Sequence, residues 1–253
     1  MTKKVVLITG GTSGVGKAIA KSFNDSPIDL TIVGRNESKA QQAAQELQEY
    51  LPQADVSYLL GDLADQTDNN RLATAFMHDH PQLDVLFNCA GNIPKTTAEN
   101  ISLNLQSHYW FTQNLTPVLK QSPDARVFII TGMPLAIQRG PIYEHQFTLV
   151  DRGLWLLTHK TLLVMLLATE LQPLGIAVNA LFPGDIQSNL SSWTKTLGKT
   201  ALPIAAQLAT LAQYHGLTGR FFDDHGNLIS LNKHKYNVEK ARTVLKPYLR
   251  REM

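Results

Sequence analysis

Hydrophobic and polar positions fall along the chain in two alternating kinds of block. The first kind is short and almost continuously apolar: "VVLIT" at 5–9, "LTIVG" at 30–34, "VSYLL" at 56–60, "DVLFN" at 84–88, "RVFIIT" at 126–131, "IAVNALF" at 176–182 and "GRFF" at 219–222. The second kind repeats with helical period, at 14–24, 37–50, 66–79, about 97–120, within about 151–172, and near 200–214. Strands that are apolar on both faces, each followed by a helix, predict a parallel sheet covered on both sides. The expected fold is therefore α/β, a Rossmann-type doubly wound parallel sheet, with residues 1–253 forming a single domain. In such a sheet a ligand sits at the carboxyl ends of the strands.

Two segments break the alternation. Residues 132–150 are rich in Gly and Pro, residues 184–200 in Ser and Thr, and each directly follows a strand. That position predicts covering loops over the ligand crevice.

A chain of 253 residues, 43% hydrophobic and 17% charged, buries roughly 70–75% of the surface its unfolded form exposes. The net charge is +2 and the basic residues are dispersed, so no footprint for nucleic acid is expected. The one basic cluster, Lys246, Arg250 and Arg251, is read as the cation-rich end of a closing helix. A single cysteine, Cys89, forms no internal disulfide and suits a reducing compartment, so the expected location is cytoplasmic. The longest apolar run, "LLVMLLA" at 162–168, falls far short of the roughly 20 residues of a membrane span, and no membrane partner is expected.

The candidate chemistry begins after the first strand. Gly10, Gly11, Gly14 and Gly16 crowd the turn into the first helix, where a missing Cβ lets backbone N–H groups and the helix dipole approach a pyrophosphate. Arg35 follows the second strand in "VGRNES", which offers no carboxylate at the strand end to hold a ribose hydroxyl. A guanidinium there pairs with a 2′-phosphate, which favours NADP(H) over NAD(H).

Companion motifs fall in register with the loop. Thr9-Gly10-Gly11-Thr12-Ser13-Gly14-Val15-Gly16, "GDLAD" with Asp62 and Leu63, "NCAG" with Asn88, Ala90 and Gly91, and "NALFPGDIQSNL" with Pro183, Gly184 and Ser188 follow one another along the chain. In this the chain resembles the short-chain dehydrogenase/reductase family over nearly its whole length. The resemblance implies that the glycine loop holds a nicotinamide dinucleotide and that Asp62 and Leu63 contact its adenine. It also implies that Asn88, Ala90 and Gly91 line the adenosine side, and that Pro183, Gly184 and Ser188 stand beside the nicotinamide. The C-terminal stretch "LTGRFFDDHGN…YNVEKARTVLKPYL" more loosely resembles the retinol-dehydrogenase-like branch.

The family's chemistry resides in a Tyr and a Lys four residues later, with a Ser before them and an Asn on the preceding long helix. Asn104 in "ISLNLQSHYWF" matches the Asn, which in the family anchors a proton-relay water. The expected Ser falls on Gly132, with Thr131 the nearest hydroxyl, and an ungapped register puts Gly153 and Leu157 at the Tyr and Lys positions. Tyr143 is the candidate replacement donor, since a phenol near pKa 10 serves as an acid only with help from its surroundings. His145, Asp151 and His159 are read instead as a loop residue, a helix N-cap and a surface histidine. Lys160 is set aside because bringing it into register would slip the helix and turn its apolar face from the sheet. The connection from Gly91 to the Asn104 helix is shorter than the family usual.

These readings leave two functions from different classes. One is an NADP(H)-dependent oxidoreductase acting on a carbonyl or alcohol with an altered proton donor. The other is a catalytically inactive nucleotide-binding sensor or partner subunit. The helix within 151–172 is apolar on nearly all sides, and the resemblance implies pairing through it and helix 97–120, so a homo-oligomer is expected.

Overall fold

The computed structural model describes residues 3–189 and 192–249. Seven strands form one parallel sheet: β1 (Lys4–Thr9), β2 (Ile28–Gly34), β3 (Asp55–Leu60), β4 (Val85–Asn88), β5 (Ala125–Ile130), β6 (Ile176–Leu181) and β7 (Phe221–Phe222). Their order is β3-β2-β1-β4-β5-β6-β7. The order reverses between β1 and β4, where Leu7 pairs with Leu86 and Ile8 with Phe87. The crevice of a doubly wound sheet opens at that reversal.

Side-chain alternation sorts the core into two layers. Val6, Ile8, Leu30, Ile32, Phe87 and Phe128 pack beneath α1 (Gly14–Lys21), α2 (Glu37–Tyr50) and α8 (Pro203–Thr210). On the opposite face Leu7, Leu86, Val127 and Ile129 meet α3 (Gln66–Asp79), α5 (Ser107–Leu119) and α7 (Leu149–Leu171). Side-chain caps fix several helix starts. Asn36 accepts from the Lys39 N–H at 2.9 Å and Asp65 from the Asp68 N–H at 2.8 Å.

Sequence and structure differ in several places. The helix expected at about 97–120 is α4 (Thr97–Ile101) joined to α5 by a π-helical turn at Ser102–Gln106. The 132–150 segment carries a short helix, α6 (Pro134–Arg139), started by a proline in its first turn. Asp151 is not the cap of α7. Thr148 is the cap, accepting from the Asp151 N–H at 3.1 Å, while the Asp151 carboxylate accepts from the Thr148 N–H at 2.9 Å.

The apolar α7 finds its cover within the chain. By length and composition this helix, with the turn after it to Leu174, could cross a membrane, but 67% of its most apolar stretch is buried here. Helix α9 (Val238–Leu245) packs along it, and Tyr248 sets its ring edge-on against Trp155 at 5.2 Å and His159 at 5.7 Å. The Tyr248 carbonyl accepts from Gln106 Nε2 at 2.6 Å, which ties the residues after α9 to the π-helical turn before α5. The all-round apolar surface therefore does not by itself require a second copy. The same packing corrects the reading of His159, which is 2% exposed rather than a surface residue. Lys246 follows α9, as the closing-helix reading expects, while Arg250 and Arg251 lie outside the described residues.

Candidate functional site

The glycine loop leaves β1 at the reversal of strand order. Gly10 (φ 66°) lies so close to the strand β4 exit that a Cβ there would stand 3.0 Å from Ala90 Cα. Gly16 has no room at all, because a Cβ would meet the Gly10 carbonyl oxygen at 2.4 Å. Thr9 ties the two strand ends together: its hydroxyl oxygen accepts from the Cys89 and Ala90 N–H groups, each at 2.9 Å. Ser13 precedes α1 without a side-chain cap, so the first N–H groups of that helix point outward unanswered by a capping side chain.

A cleft of about 310 Å³ lies directly at this turn. Thr12, Ser13, Gly14 and Lys17 line one wall, and Gln187, Ser188, Asn189 and Lys195 the other. The described residues of the 184–200 segment thus fold over the loop as expected, with a Cβ on Gly14 standing 3.0 Å from Ser188 Cβ. Gly184 (φ 66°) makes the sharp exit from β6 after the buried Pro183, and Val15 packs partly into the core. A glycine cradle and an uncapped helix start fit a dinucleotide pyrophosphate.

Arg35 and Asp62 stand side by side beyond the ends of β2 and β3. The guanidinium is 60% exposed, with Nη1 3.6 Å from Asp62 Oδ2. Asp62 Oδ1 accepts from the Ala64 N–H at 3.0 Å, and Leu63 turns into the core. The two residues are 27 positions apart in sequence, and only the pairing of β2 with β3 brings them together.

The other side of the crevice rests on a buried polar stripe. Asn100, Asn104, His108 and Thr112 recur every fourth residue on the helical stretch α4–α5 and are all buried. Asn88 Nδ2 donates to Thr112 Oγ1 at 2.9 Å, and His108 Nε2 lies 2.7 Å from the Ala90 carbonyl oxygen. The Asn104 amide is fully engaged by the protein. Its Oδ1 accepts from the Asn92 N–H at 3.0 Å, while Nδ2 donates to the Asn92 carbonyl at 3.2 Å and Asn100 Oδ1 at 3.0 Å. Asn104 therefore clamps the turn that follows Gly91, and the short connection expected there is held in this way.

Of the remaining candidates, Thr131 continues β5 with a buried hydroxyl that has no hydrogen-bond partner among the described residues. Leu157 fills the space at Gly132, and Gly153 opens onto empty space, since a Cβ there would meet nothing within 4 Å. Tyr143 lies by α6, its hydroxyl close to Gly140 and its ring within electrostatic reach of Tyr236. His145 is a loop residue stacked on Phe147. No hydrogen bond joins Tyr143 to Thr131 or Asn104 among the described residues.

Lys160 does not need the helix slip that its sequence position suggests. Side chains of a helix lean toward its N-terminus. Lys160 thereby reaches up from the sheet-facing side of α7 with the helix in its own register, and its Nζ donates to the Ile130 carbonyl at 3.2 Å. The same Nζ lies 3.9 Å from where a Cβ on Gly91 would stand. Burial lowers its pKa from 10.5 to about 7. The available signal was a lone cation in line with Leu163 and Leu167 on the buried face of the helix.

Residues 4–135 match the family profile described as short chain dehydrogenase. The chain belongs to this family. An uncharacterized oxidoreductase, DltE, of Bacillus subtilis (strain 168) is 31% identical over 173 residues, 60% of this chain and 66% of its own. Retinol dehydrogenase 12 of Homo sapiens is 29% identical over 198 residues, 74% of this chain and 63% of its own. The match spans about half to two thirds of the length of these two and of two further curated relatives. Among solved structures, the RhlG/NADP active-site complex of Pseudomonas aeruginosa superposes with a TM-score of 0.72 at 25% identity, covering 88% of this chain and 95% of its own. The family's fold is one that binds a nicotinamide dinucleotide.

Proposed function

We propose that this short-chain dehydrogenase is an NADP(H)-dependent oxidoreductase acting on a carbonyl or alcohol, with the family's Ser, Tyr and Lys replaced by Gly132, Gly153 and Leu157. The observation that carries the cofactor preference is Arg35 at the exit of β2. Its guanidinium is exposed and only loosely held by Asp62, so it is available for charge-assisted hydrogen bonds to a 2′-phosphate. The RhlG complex, solved with NADP, supports the same choice.

A dinucleotide bound here would supply hydride. Residues of the chain bind and orient it: Gly14 and Gly16 admit its phosphates, Arg35 its 2′-phosphate, and Ser188 borders the same cleft. A second reading, a nucleotide-holding sensor or partner subunit, is favoured by Leu157, which packs against Gly132 where the family expects polar groups.

Calorimetric titration with NADPH and NADH, alongside NADPH consumption over a panel of aldehydes and ketones, separates the two. Reduction of any panel member supports the oxidoreductase. Tight NADPH binding with no turnover on the whole panel supports the sensor.

A further inference from the structure

Lys160 is 6% exposed, and its side chain makes one hydrogen bond, to the Ile130 carbonyl. No carboxylate pairs with it among the described residues. A buried ammonium without a counter-charge is destabilising by several kcal/mol unless something offsets its desolvation. The surrounding groups do not. Cys89, at the end of β4, has its thiol pKa pushed up by burial, and His108, on α5, has its imidazole pKa pushed well down by burial. Both stay uncharged near neutrality.

The neighbourhood is also short of partners. Asn88 Oδ1, Asn92 Oδ1, His108 Nδ1 and Thr131 Oγ1 are all buried without a hydrogen bond among the described residues. Asn88 ends β4, Thr131 follows β5, Asn92 is held by Asn104 just past Gly91, and His108 lies within electrostatic reach of Lys160. Gly91, exposed and without a side chain, borders the ammonium on the crevice side: a Cβ there would stand 3.9 Å from Lys160 Nζ and 2.8 Å from Asn104 Oδ1. The structure thus holds one ionisable donor behind an open lip, amid buried polar atoms that a bound ligand would complete.

We propose that Lys160 is the proton donor of this site, delivering its proton across the lip between Gly91 and Thr131 to the oxygen of a bound carbonyl substrate. The assignment rests on the oxidoreductase reading above. As hydride arrives at the substrate carbon from the dinucleotide, the C=O π pair moves onto oxygen. An N–H bond of Lys160 breaks as the O–H bond forms, leaving a neutral amine that regains a proton from solvent. Alcohol oxidation runs the same transfers in reverse, with the neutral amine as base. Its lowered pKa, near 7, suits both directions.

The test compares wild type with Lys160→Met and Lys160→Arg. NADPH binding is followed by calorimetry in buffers of different ionisation enthalpy, which counts protons taken up. Hydride transfer is followed by single turnover on whichever carbonyl the wild type reduces. Binding an anionic dinucleotide beside a half-neutral lysine should draw in a fraction of a proton between pH 7 and 8.5, and Lys160→Met should abolish that uptake with NADPH affinity changed less than about fivefold. Hydride transfer should fall roughly 10²–10⁴-fold, the usual worth of a positioned general acid. Methionine is apolar and of similar length, so the variant should melt no lower than wild type. Unchanged proton uptake, or single-turnover rates that survive Lys160→Met, overturns the assignment while leaving the oxidoreductase reading intact. Failure of the wild type to reduce any carbonyl with NADPH bound overturns both.

Discussion

Leu157 lies over Gly132 so closely that a Cβ built on the glycine would stand 2.3 Å from Leu157 Cδ2. The two positions are therefore coupled: a side chain at the exit of β5 requires the end of Leu157 in α7 to shift. Gly132→Ser should lower stability by about 1–3 kcal/mol through overpacking. Combining it with Leu157→Ala should remove most of that coupling, because the obstructing atoms are gone. Denaturant unfolding of the two single variants and the double variant gives the interaction energy. Additive effects would mean that Leu157 turns aside freely.

Gly153 presents the opposite case, a glycine inside α7 with nothing within 4 Å of its missing side chain. Glycine in a helix interior is less stable than alanine, chiefly through the freedom it gives the unfolded chain. Gly153→Ala should therefore raise the unfolding free energy by about 0.5–1 kcal/mol, read from urea midpoints at constant m. A loss of stability would place a backbone constraint at this residue that its surroundings do not reveal.

Much of this architecture is written in local pattern. The apolar runs gave the seven strands, and the helices at 37–50 and 66–79 begin and end where their period does, with Asn36 and Asp65 as caps. The glycine loop was legible because backbone crowding at Gly10 and Gly16 permits no other residue. His159 was not legible, and Lys160 only as a lone cation in line with apolar residues, since their surroundings come from elements remote in sequence. His159 is enclosed by Tyr248, and the Lys160 ammonium is placed by the ends of β4 and β5. Register fixes which way a helical residue faces, but the reach of a long flexible side chain along the helix is decided by what it meets. The stripe of Asn100, Asn104, His108 and Thr112 had the right spacing to be noticed, but polar residues at helical period ordinarily signal a solvent face. Here Asn88 and Ala90 at the end of β4, the turn after Gly91 and the start of α7 cover them.

Arg35 sets the expected cofactor preference. If its guanidinium bonds a 2′-phosphate, Arg35→Ala should weaken NADPH binding by about 1.5–3 kcal/mol, more than tenfold, and leave NADH nearly unchanged. The loose pair with Asp62, in which both side chains are well exposed, should resist this little. Calorimetry on wild type and variant with both dinucleotides reads the result. Equal affinity of the wild type for NADPH and NADH would refute the preference.

His159 should make the fold acid-sensitive. Its ring stacks on Trp155 at 3.8 Å, and its Nδ1–H donates to the Trp155 carbonyl at 2.8 Å. Burial, partly opposed by that bond, lowers its pKa from 6.5 to about 4. Between these values the unfolded chain binds a proton that the folded chain refuses, so stability falls as the pH drops from about 6.5 toward 4, and the contribution is constant above that window. At 1.36 kcal/mol per unit the total is roughly 3 kcal/mol. His159→Gln keeps a donor for the Trp155 carbonyl but does not titrate, so its unfolding free energy should fall less steeply over the same window, even if loss of the stack lowers it at pH 7. His108, also neutral and buried, contributes a slope of the same sign that remains in both proteins. Urea unfolding at half-unit steps from pH 7.5 to 4 measures the difference, and parallel curves for wild type and variant would show that His159 is protonated as readily in the folded chain as in the unfolded one.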